Sequence, residues 1–576
     1  MTLADRLRAH AAARPEASAF TFLPDGLPGS AVDLTFADID RRARGVAAHL
    51  LERGAGGRAV LLLCSDGPEF ACAFAGCLYA GAVAVPVGWP ERGPGRIESL
   101  AALSGAALAL ACRDELGAVE RTFAASDRLR TLDVVATEGL ADPLAVPPPV
   151  APDALAFLLS TSGSTGTAKL VAVTHANALA QCAFLSDGFG YDPRSVHVGW
   201  PPVSNTGGFV FTICNPLCTG FRSVRLPIAA FLGHPYRWLA AISHYRGTHG
   251  HGPNFAYDLC ASQITAEERA TLDLGSWEHA INGAEPIRPA TLDRFARTFA
   301  PCGFRYAAFS LSYGLSEATM QVARSAEPDG PSFYEVDARI LQSTGRATRS
   351  DGSGPVRRLP LYRGDGELHR RIAIVDPETL RERLPGEEGE ICVAGDDVAR
   401  GYLHEPAETA ATFGLVLADG RGPFLRTGDL GFVVDGRLCV SGRLKEIVII
   451  RGANHAPVDL EAAVDEEGAP ATRTAAFSVV ARGEERLVLV VEAAADDPKA
   501  VVKRARAAVA REHHLHAWAV VVVPPGAIPR TANGKIRRNA CRDAYLAGAL
   551  PVIHAATPGA GELARPGVVI EDGDDG

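Results

Sequence analysis

Short, wholly apolar runs separated by helix-patterned segments constrain this chain most. Ala59-Val-Leu-Leu-Leu-Cys64 and Val83-Ala-Val-Pro-Val87 are two such runs, and residues 68–81 between them read as a helix. A strand with no polar alternate must be covered on both faces. Strand, helix, strand with such strands therefore predicts an α/β fold with parallel sheets. Upstream, Thr35-Phe-Ala-Asp38 resembles a capping box with Asp in place of Glu. It opens a helix with apolar Ile39, Ala43, Val46, Ala47 and Leu50, ended by Gly54. Further apolar strands are expected at 155–159, 170–173, near Val224 and at 372–375.

At 576 residues the chain is too long for one hydrophobic core, so two or more domains are expected. The reading is a large domain over 1–440 and a small α+β domain over 441–555. In the latter, residues 475–480 and 487–491 flank a turn at 482–484 as a hairpin, followed by a helix over 498–514 and a strand over 519–523. Two strands, a helix and a strand bury little by themselves, which suits a mobile lid. Residues 325–365, rich in Gly, Pro, Ser and Arg, read as an insertion-like surface excursion. The acidic residues 556–576 are expected to be a disordered tail.

A formal net charge of −10 without a basic block argues against nucleic-acid binding. No apolar run reaches membrane-spanning length, and the N-terminus lacks a signal-peptide core, so membrane insertion is not expected. The twelve cysteines form no Cys-x-x-Cys pair, and Cys72, Cys77, Cys214, Cys218 and Cys260 lie among apolar neighbours. They read as reduced core residues of a cytoplasmic protein.

The chemistry begins at Ser160-Thr-Ser-Gly-Ser-Thr-Gly-Thr-Ala-Lys169, directly after an apolar run. Glycines let backbone N–H groups approach phosphate oxygens, hydroxyls add donors, and a lysine adds a cation. The spacing is not that of the common P-loop, so ATP phosphates would be held by another architecture. Asp429, in Arg426-Thr-Gly-Asp-Leu-Gly431, can accept both hydroxyls of a ribose, or make an ordinary Asx turn. Ser312-Tyr-Gly-Leu-Ser-Glu317 offers an aromatic face for a purine and a carboxylate for Mg²⁺, or a core turn. Asn282-Gly-Ala-Glu-Pro286 could line the base or merely connect elements, and Lys535 stands on a charged Gly-containing loop.

In this order the segments resemble the adenylate-forming superfamily over roughly residues 5–550. The most specific matches are 161–169, 313–317, 426–431, Gly442-Arg443-Leu-Lys445-Glu446 and Asn533-Gly-Lys535. Within the superfamily the chain looks most like stand-alone fatty acyl-AMP ligases, through Gly252-Pro-Asn-Phe-Ala-Tyr-Asp-Leu-Cys260, Asn282-Gly-Ala-Glu-Pro-Ile-Arg288, Ala300-Pro-Cys-Gly-Phe-Arg305, Ile449-Ile-Arg-Gly-Ala-Asn-His455 and Gly534-Lys-Ile-Arg-Arg538. Residues 325–365 fall where those ligases carry an insertion. The resemblance implies a large adenylate-forming domain of α/β subdomains, a small mobile C-terminal domain, and two half-reactions. An acid is activated by ATP as acyl-AMP with release of pyrophosphate, then transferred to a thiol. The implied acceptor is the phosphopantetheine of a separate holo acyl carrier protein. An acyl- or aryl-CoA ligase, or a non-catalytic nucleotide-binding relative, are the alternatives.

By motif, the resemblance assigns Thr161, Ser162, Ser164, Thr165 and Lys169 to the β- and γ-phosphates, with Gly163 and Gly166 in the same loop. It assigns Glu317 to Mg²⁺ with Thr165 nearby, Asp429 and Arg443 to the ribose, and Tyr313 and Gly314 with Gly283 and Ala284 to adenine. Lys535 would bridge the substrate carboxylate and the α-phosphate, and Lys445 is the hinge about which the small domain swings. The substrate pocket would be bordered by Ser204, Asn205, Thr206, Gly207 and Phe209. There the ligases usually carry His-Asp-Met-Gly; here Asn205 (or Ser204, under a one-residue shift) stands for the His and Thr206 for the Asp. That substitution changes the polarity of the pocket and argues against a plain long-chain fatty acid. Apolar Phe209, Val210, Phe211 and Ile213 fit either a hydrophobic pocket or plain core.

Overall fold

The computed structural model describes residues 1–89, 94–140, 144, 146–161, 169–325, 327–363, 371–444, 446, 448–450, 453–467, 473–481, 484–493, 497–513, 515–531 and 536–556. Two large sheets carry the N-terminal part. The seven-stranded sheet runs Gly401–Tyr402, Lys169–Thr174, Leu155–Thr161, Val83–Pro86, Ala59–Leu62, Leu108–Ala111, Asp133–Ala136. Its five strands from Leu155–Thr161 onward are parallel. The apolar run beginning at Ala59 explains why: Val60 and Leu62 enter one core cluster and Leu61 and Leu63 another, on opposite faces. The eight-stranded sheet runs Gln321–Ser325, Phe309–Gly314, His279–Gly283, His249–Gly252, Val196–Gly199, Arg222–Arg225, Ser18–Phe22, Val32–Thr35, parallel except at its two edges.

The main core holds residues of both sheets together with the helices Leu3–Ala13, Phe36–Glu52, Pro68–Ala80 and His175–Phe189. The expected capping box is present: Thr35 Oγ1 accepts from the Asp38 N–H at 3.1 Å, and Asp38 accepts from the Thr35 N–H at 3.1 Å. That helix ends at Glu52, with Arg53 as its C-cap and Gly54, at φ +65°, directly after it as the stop.

Several expectations are corrected. Lys169–Thr174 pairs antiparallel with Leu155–Thr161 and so falls outside the parallel run. The seven residues between them are too few for a parallel crossover, which needs a dozen or more. The 325–365 stretch is no simple surface excursion. Strands Phe333–Asp337 and Val356–Pro360 pair as a hairpin around the helix Ala338–Thr344, and Tyr334, Val336, Leu341 and Leu359 pack on Phe432 and Cys439. The C-terminal unit is richer than two strands, a helix and a strand. Arg473–Ala481, Glu484–Glu492, Ala519–Val523 and His554–Ala556 form one sheet, with helices Pro457–Glu467, Pro498–His513 and Arg538–Leu546 beside it. Of the added helices, Pro457–Glu467 lacks a strong apolar stripe and Arg538–Leu546 spans only nine residues, so periodicity alone did not reveal them. Of the expected tail, Ala556 instead closes the strand His554–Ala556, and the rest lies outside the described residues.

A third, antiparallel sheet of Arg371–Val375, Gly389–Ala394, Leu425–Val434 and Arg437–Arg443 precedes that unit. Arg288 Nη2 reaches across to Asp465 Oδ2 of the helix Pro457–Glu467 at 3.2 Å.

Candidate active site

In open α/β sheets ligands gather beyond the carboxyl ends of parallel strands. In the eight-stranded sheet four neighbouring ends are Gly199, Gly252, Gly283 and Gly314. Gly283 and Ser312 are direct neighbours in the sheet, and a Cβ on Gly283 would lie 2.4 Å from the Ser312 carbonyl oxygen. Only glycine allows that approach. Ala284, the next residue, takes φ +67°, so the chain turns sharply off the strand end.

Asp429 is not in a turn after a strand. It lies inside the strand Leu425–Val434, directly opposite Arg443 in the antiparallel register. The preceding Gly428, at φ +70°, and a register shift opposite Glu390–Cys392 bend the strand there. Asp429 Oδ1 accepts from Arg443 Nε at 2.8 Å and Oδ2 from the Tyr313 hydroxyl at 2.8 Å. The third sheet thereby reaches the end of the eight-stranded one. The Asp429 charge pushes the Arg443 guanidinium up, and burial pushes the Tyr313 hydroxyl up, with Asp429 adding to it. Tyr313, Asp429 and Arg443 thus form one hydrogen-bonded group, and Gly283, Ala284 and Gly314 lie at neighbouring strand ends.

Thr161 and Lys169 face each other across the base of the phosphate-loop segment. Ser162, Gly163, Ser164, Thr165 and Gly166 lie outside the described residues, as do Lys445 and Lys535. Lys169 Nζ pairs with Glu408 Oε2 at 2.7 Å and sits 4.9 Å from the centre of the Tyr402 ring. The Tyr402 hydroxyl donates to Glu317 Oε1 at 2.8 Å. Burial and the Glu317 charge push that hydroxyl up. Lys169, Tyr402 and Glu317 therefore form a continuous polar strip. Tyr402 and Glu408 escaped sequence reasoning; a two-residue edge strand, Gly401–Tyr402, has too little pattern to be seen.

Asn205 caps the short helix Thr206–Phe209, its Oδ1 accepting from the N–H groups of Gly207 at 2.8 Å and Gly208 at 3.2 Å. Thr206 Oγ1 meets Ser316 Oγ at 2.7 Å, one residue before Glu317. Ser204 is half-buried near Gly88. Phe209 is wholly buried, edge-on to Phe74, Phe157 and Phe70. The chain continues into a π-helical turn over Val210–Cys214, a form concentrated at functional sites.

Strand ends that converge on a carboxylate–guanidinium pair, with a lysine–carboxylate strip beside them, define a nucleotide-handling α/β enzyme. Comparison with known proteins makes this specific. The AMP-binding enzyme family matches residues 7–403, and the Disco-interacting protein 2-like AMP domain matches 445–555. The medium-chain-fatty-acid–[acyl-carrier-protein] ligase JamA of Moorena producens is 37% identical, over 95% of this chain and 96% of its own. The long-chain-fatty-acid–AMP ligase FadD26 of Mycobacterium marinum is 34% identical over 94% and 96%. A fatty acyl-adenylate ligase from L. pneumophila, solved with acyl adenylate and pyrophosphate, is 31% identical, covers 96% and 98%, and superposes with a TM-score of 0.73. The chain belongs to the AMP-binding enzyme family, and it is an ATP-using, adenylate-forming ligase of carboxylic acids. Among the described residues no helix is long and apolar enough to cross a membrane.

Proposed function

We propose that this ligase activates a fatty or related apolar carboxylic acid and passes the acyl group to the phosphopantetheine thiol of a separate acyl carrier protein in the cytoplasm. The observation that carries the nucleotide half is the Tyr313–Asp429–Arg443 group at the strand ends. A ribose presents two adjacent hydroxyls, and a carboxylate held by a guanidinium and a phenol can accept from both. The tyrosine ring and the Gly283–Ala284 turn would take the adenine.

In the first step a carboxylate oxygen attacks the α-phosphorus, the P–O bond to the β-phosphate breaks, and pyrophosphate leaves. Two anions meet, so oriented donors and cations must absorb the charge. Thr161, Ser162, Gly163, Ser164, Thr165, Gly166 and Lys169 would hold the β- and γ-phosphates, and Lys535 would neutralise the approaching carboxylate. Glu317 fits a Mg²⁺ site. Its Oε1 accepts from Tyr402, while Oε2 has no hydrogen-bond partner among the described residues, and Mg²⁺ is commonly bound by one or two carboxylates plus phosphate oxygens. Thr165 would stand near it. When bound, the ion would neutralise phosphate charge.

In the second step the thiol attacks the acyl carbon and AMP leaves. A swing about Lys445 would withdraw Lys535 and admit the thiol. The relative named as a [acyl-carrier-protein] ligase supports a carrier protein over CoA. The test is pyrophosphate release across a panel of carboxylic acids, followed by transfer to holo carrier protein or to CoA. Acid-dependent release and thioester on the carrier protein are expected. Release with transfer to CoA alone refutes the acceptor, and no release with any acid refutes the activity.

A further inference from the structure

Strand alternation puts His197, His249, His251 and His279 on one face of the eight-stranded sheet, since His197 and His279 stand opposite His249 and His251 follows by two. His249 and His279 are satisfied: His249 Nε2 bonds the Phe189 carbonyl at 2.7 Å and His279 Nδ1 the Ser310 hydroxyl at 2.9 Å. His251 is not. Its Nδ1 meets His197 Nε2 at 2.9 Å, and His197 Nδ1 meets the Tyr191 hydroxyl at 2.7 Å, but His251 Nε2 is buried without a partner among the described residues.

The polarity of this relay follows from counting. Burial keeps Tyr191 a protonated phenol and pulls His197 well below the usual imidazole range. It pulls His251 down to about 3, with Arg225 adding to it. Both rings are therefore neutral. If the phenol donates to His197 Nδ1, His197 donates to His251 Nδ1, and the sole unpaired group is a His251 Nε2–H. The opposite direction strands two groups, the phenol hydrogen and a bare Nε2. Unsatisfied buried groups are costly, so the first direction holds and His251 presents a donor.

That donor lies beside the segment read as the border of the acid pocket. A Cβ on Gly207 would lie 3.9 Å from His251 Nε2 and Cδ2, with only Asn205 Oδ1 closer, at 3.3 Å. The imidazole edge therefore lies directly beside the Asn205–Gly207 segment. Phe211 covers the ring from the π-helical turn, centroids 4.7 Å apart. Gly207 adjoins Thr206, whose hydroxyl holds Ser316 beside Glu317.

Resting on the reading of this segment as the acid pocket, we infer that His251 Nε2–H selects acids bearing an acceptor oxygen, a keto or hydroxyl group, close to the carboxyl end of the chain. A plain alkyl chain would leave the donor unpaired, and a site built to bond an oxygen rejects the analogue lacking it. His251 is a specificity determinant, and His197 and Tyr191 are positioning residues that set its tautomer.

The test is acid-dependent exchange of labelled pyrophosphate into ATP, with alkanoic acids compared to their 2-oxo, 3-oxo and 3-hydroxy counterparts of equal length. At least one oxygenated series is expected to exceed the alkanoates about tenfold or more in kcat/KM. His251→Leu should erase that preference, and His251→Asn, which keeps an N–H, should restore part of it. Tyr191→Phe, which keeps the ring and removes only the hydroxyl, should weaken the preference and serves if His251→Leu does not fold. Preference for alkanoates in the unaltered enzyme, or equal losses for both series in His251→Leu, overturns the inference alone. Absence of exchange with every acid tested overturns the pocket reading and the inference with it.

Discussion

Replacing Asp429 by asparagine strikes the group on which the nucleotide reading depends. The side chain keeps its size but loses its charge, and one of its two acceptor oxygens becomes a donor. In the free enzyme it accepts from Arg443 and Tyr313, both at 2.8 Å, and is only 9% exposed. Arg443 is 39% exposed, so water compensates much of its loss, and the phenol can rotate. Stability should fall modestly. Nucleotide binding should suffer more. Two ribose hydroxyls on a carboxylate make charge-assisted bonds, each about 1 kcal/mol better than a neutral one, so about 2 kcal/mol is lost. At about 1.4 kcal/mol per decade this is roughly a thirtyfold rise in KM for ATP. The ribose is bound alike before and during reaction, so kcat should change little. Pyrophosphate exchange against ATP concentration measures both, with the melting temperature as a check on folding. An ATP KM within threefold of the unaltered enzyme, or a fall in kcat at constant KM, would refute the ribose assignment.

Other consequences are equally direct. Glu408 competes with phosphate for Lys169, across an ion pair with 22% and 52% exposed partners. Glu408→Gln should therefore tighten pyrophosphate binding by no more than about fivefold at low salt, with the gain fading at high salt, as titration calorimetry would show. Lys535→Ala should nearly abolish acyl-AMP formation yet spare transfer from supplied acyl-AMP; equal loss of both steps would contradict its role. Burial lifts Asp465 to about 6 despite Arg288 beside it. Between its ordinary value of 3.8 and about 6 the folded chain holds a proton the unfolded chain has released. The contribution of Asp465 to stability therefore falls as pH rises through that window and stays level above it. Melting temperatures of Asp465→Asn relative to the unaltered enzyme should rise from pH 4 to 6.5 and then flatten; parallel profiles would contradict this.

Local pattern determined the elements. Runs such as Ala59–Leu62 and Val83–Pro86 have no polar alternate, so they could only be strands covered on both faces, and Thr35 with Asp38 had to start a helix. Short motifs likewise announced Tyr313, Glu317, Asp429 and Arg443 before any contact was visible. What they touch was decided only by tertiary structure, because hydrogen bonds across 116 residues, from Tyr313 to Asp429, or 239, from Lys169 to Glu408, leave no periodic trace. The histidine relay shows the same division most plainly. His249 and His251 alternate on one strand and could be read as sharing a face, but the fold alone brings His197 to one ring nitrogen and leaves the other facing Gly207. Burial turns that spare nitrogen into a demand for a partner, since none is supplied among the described residues.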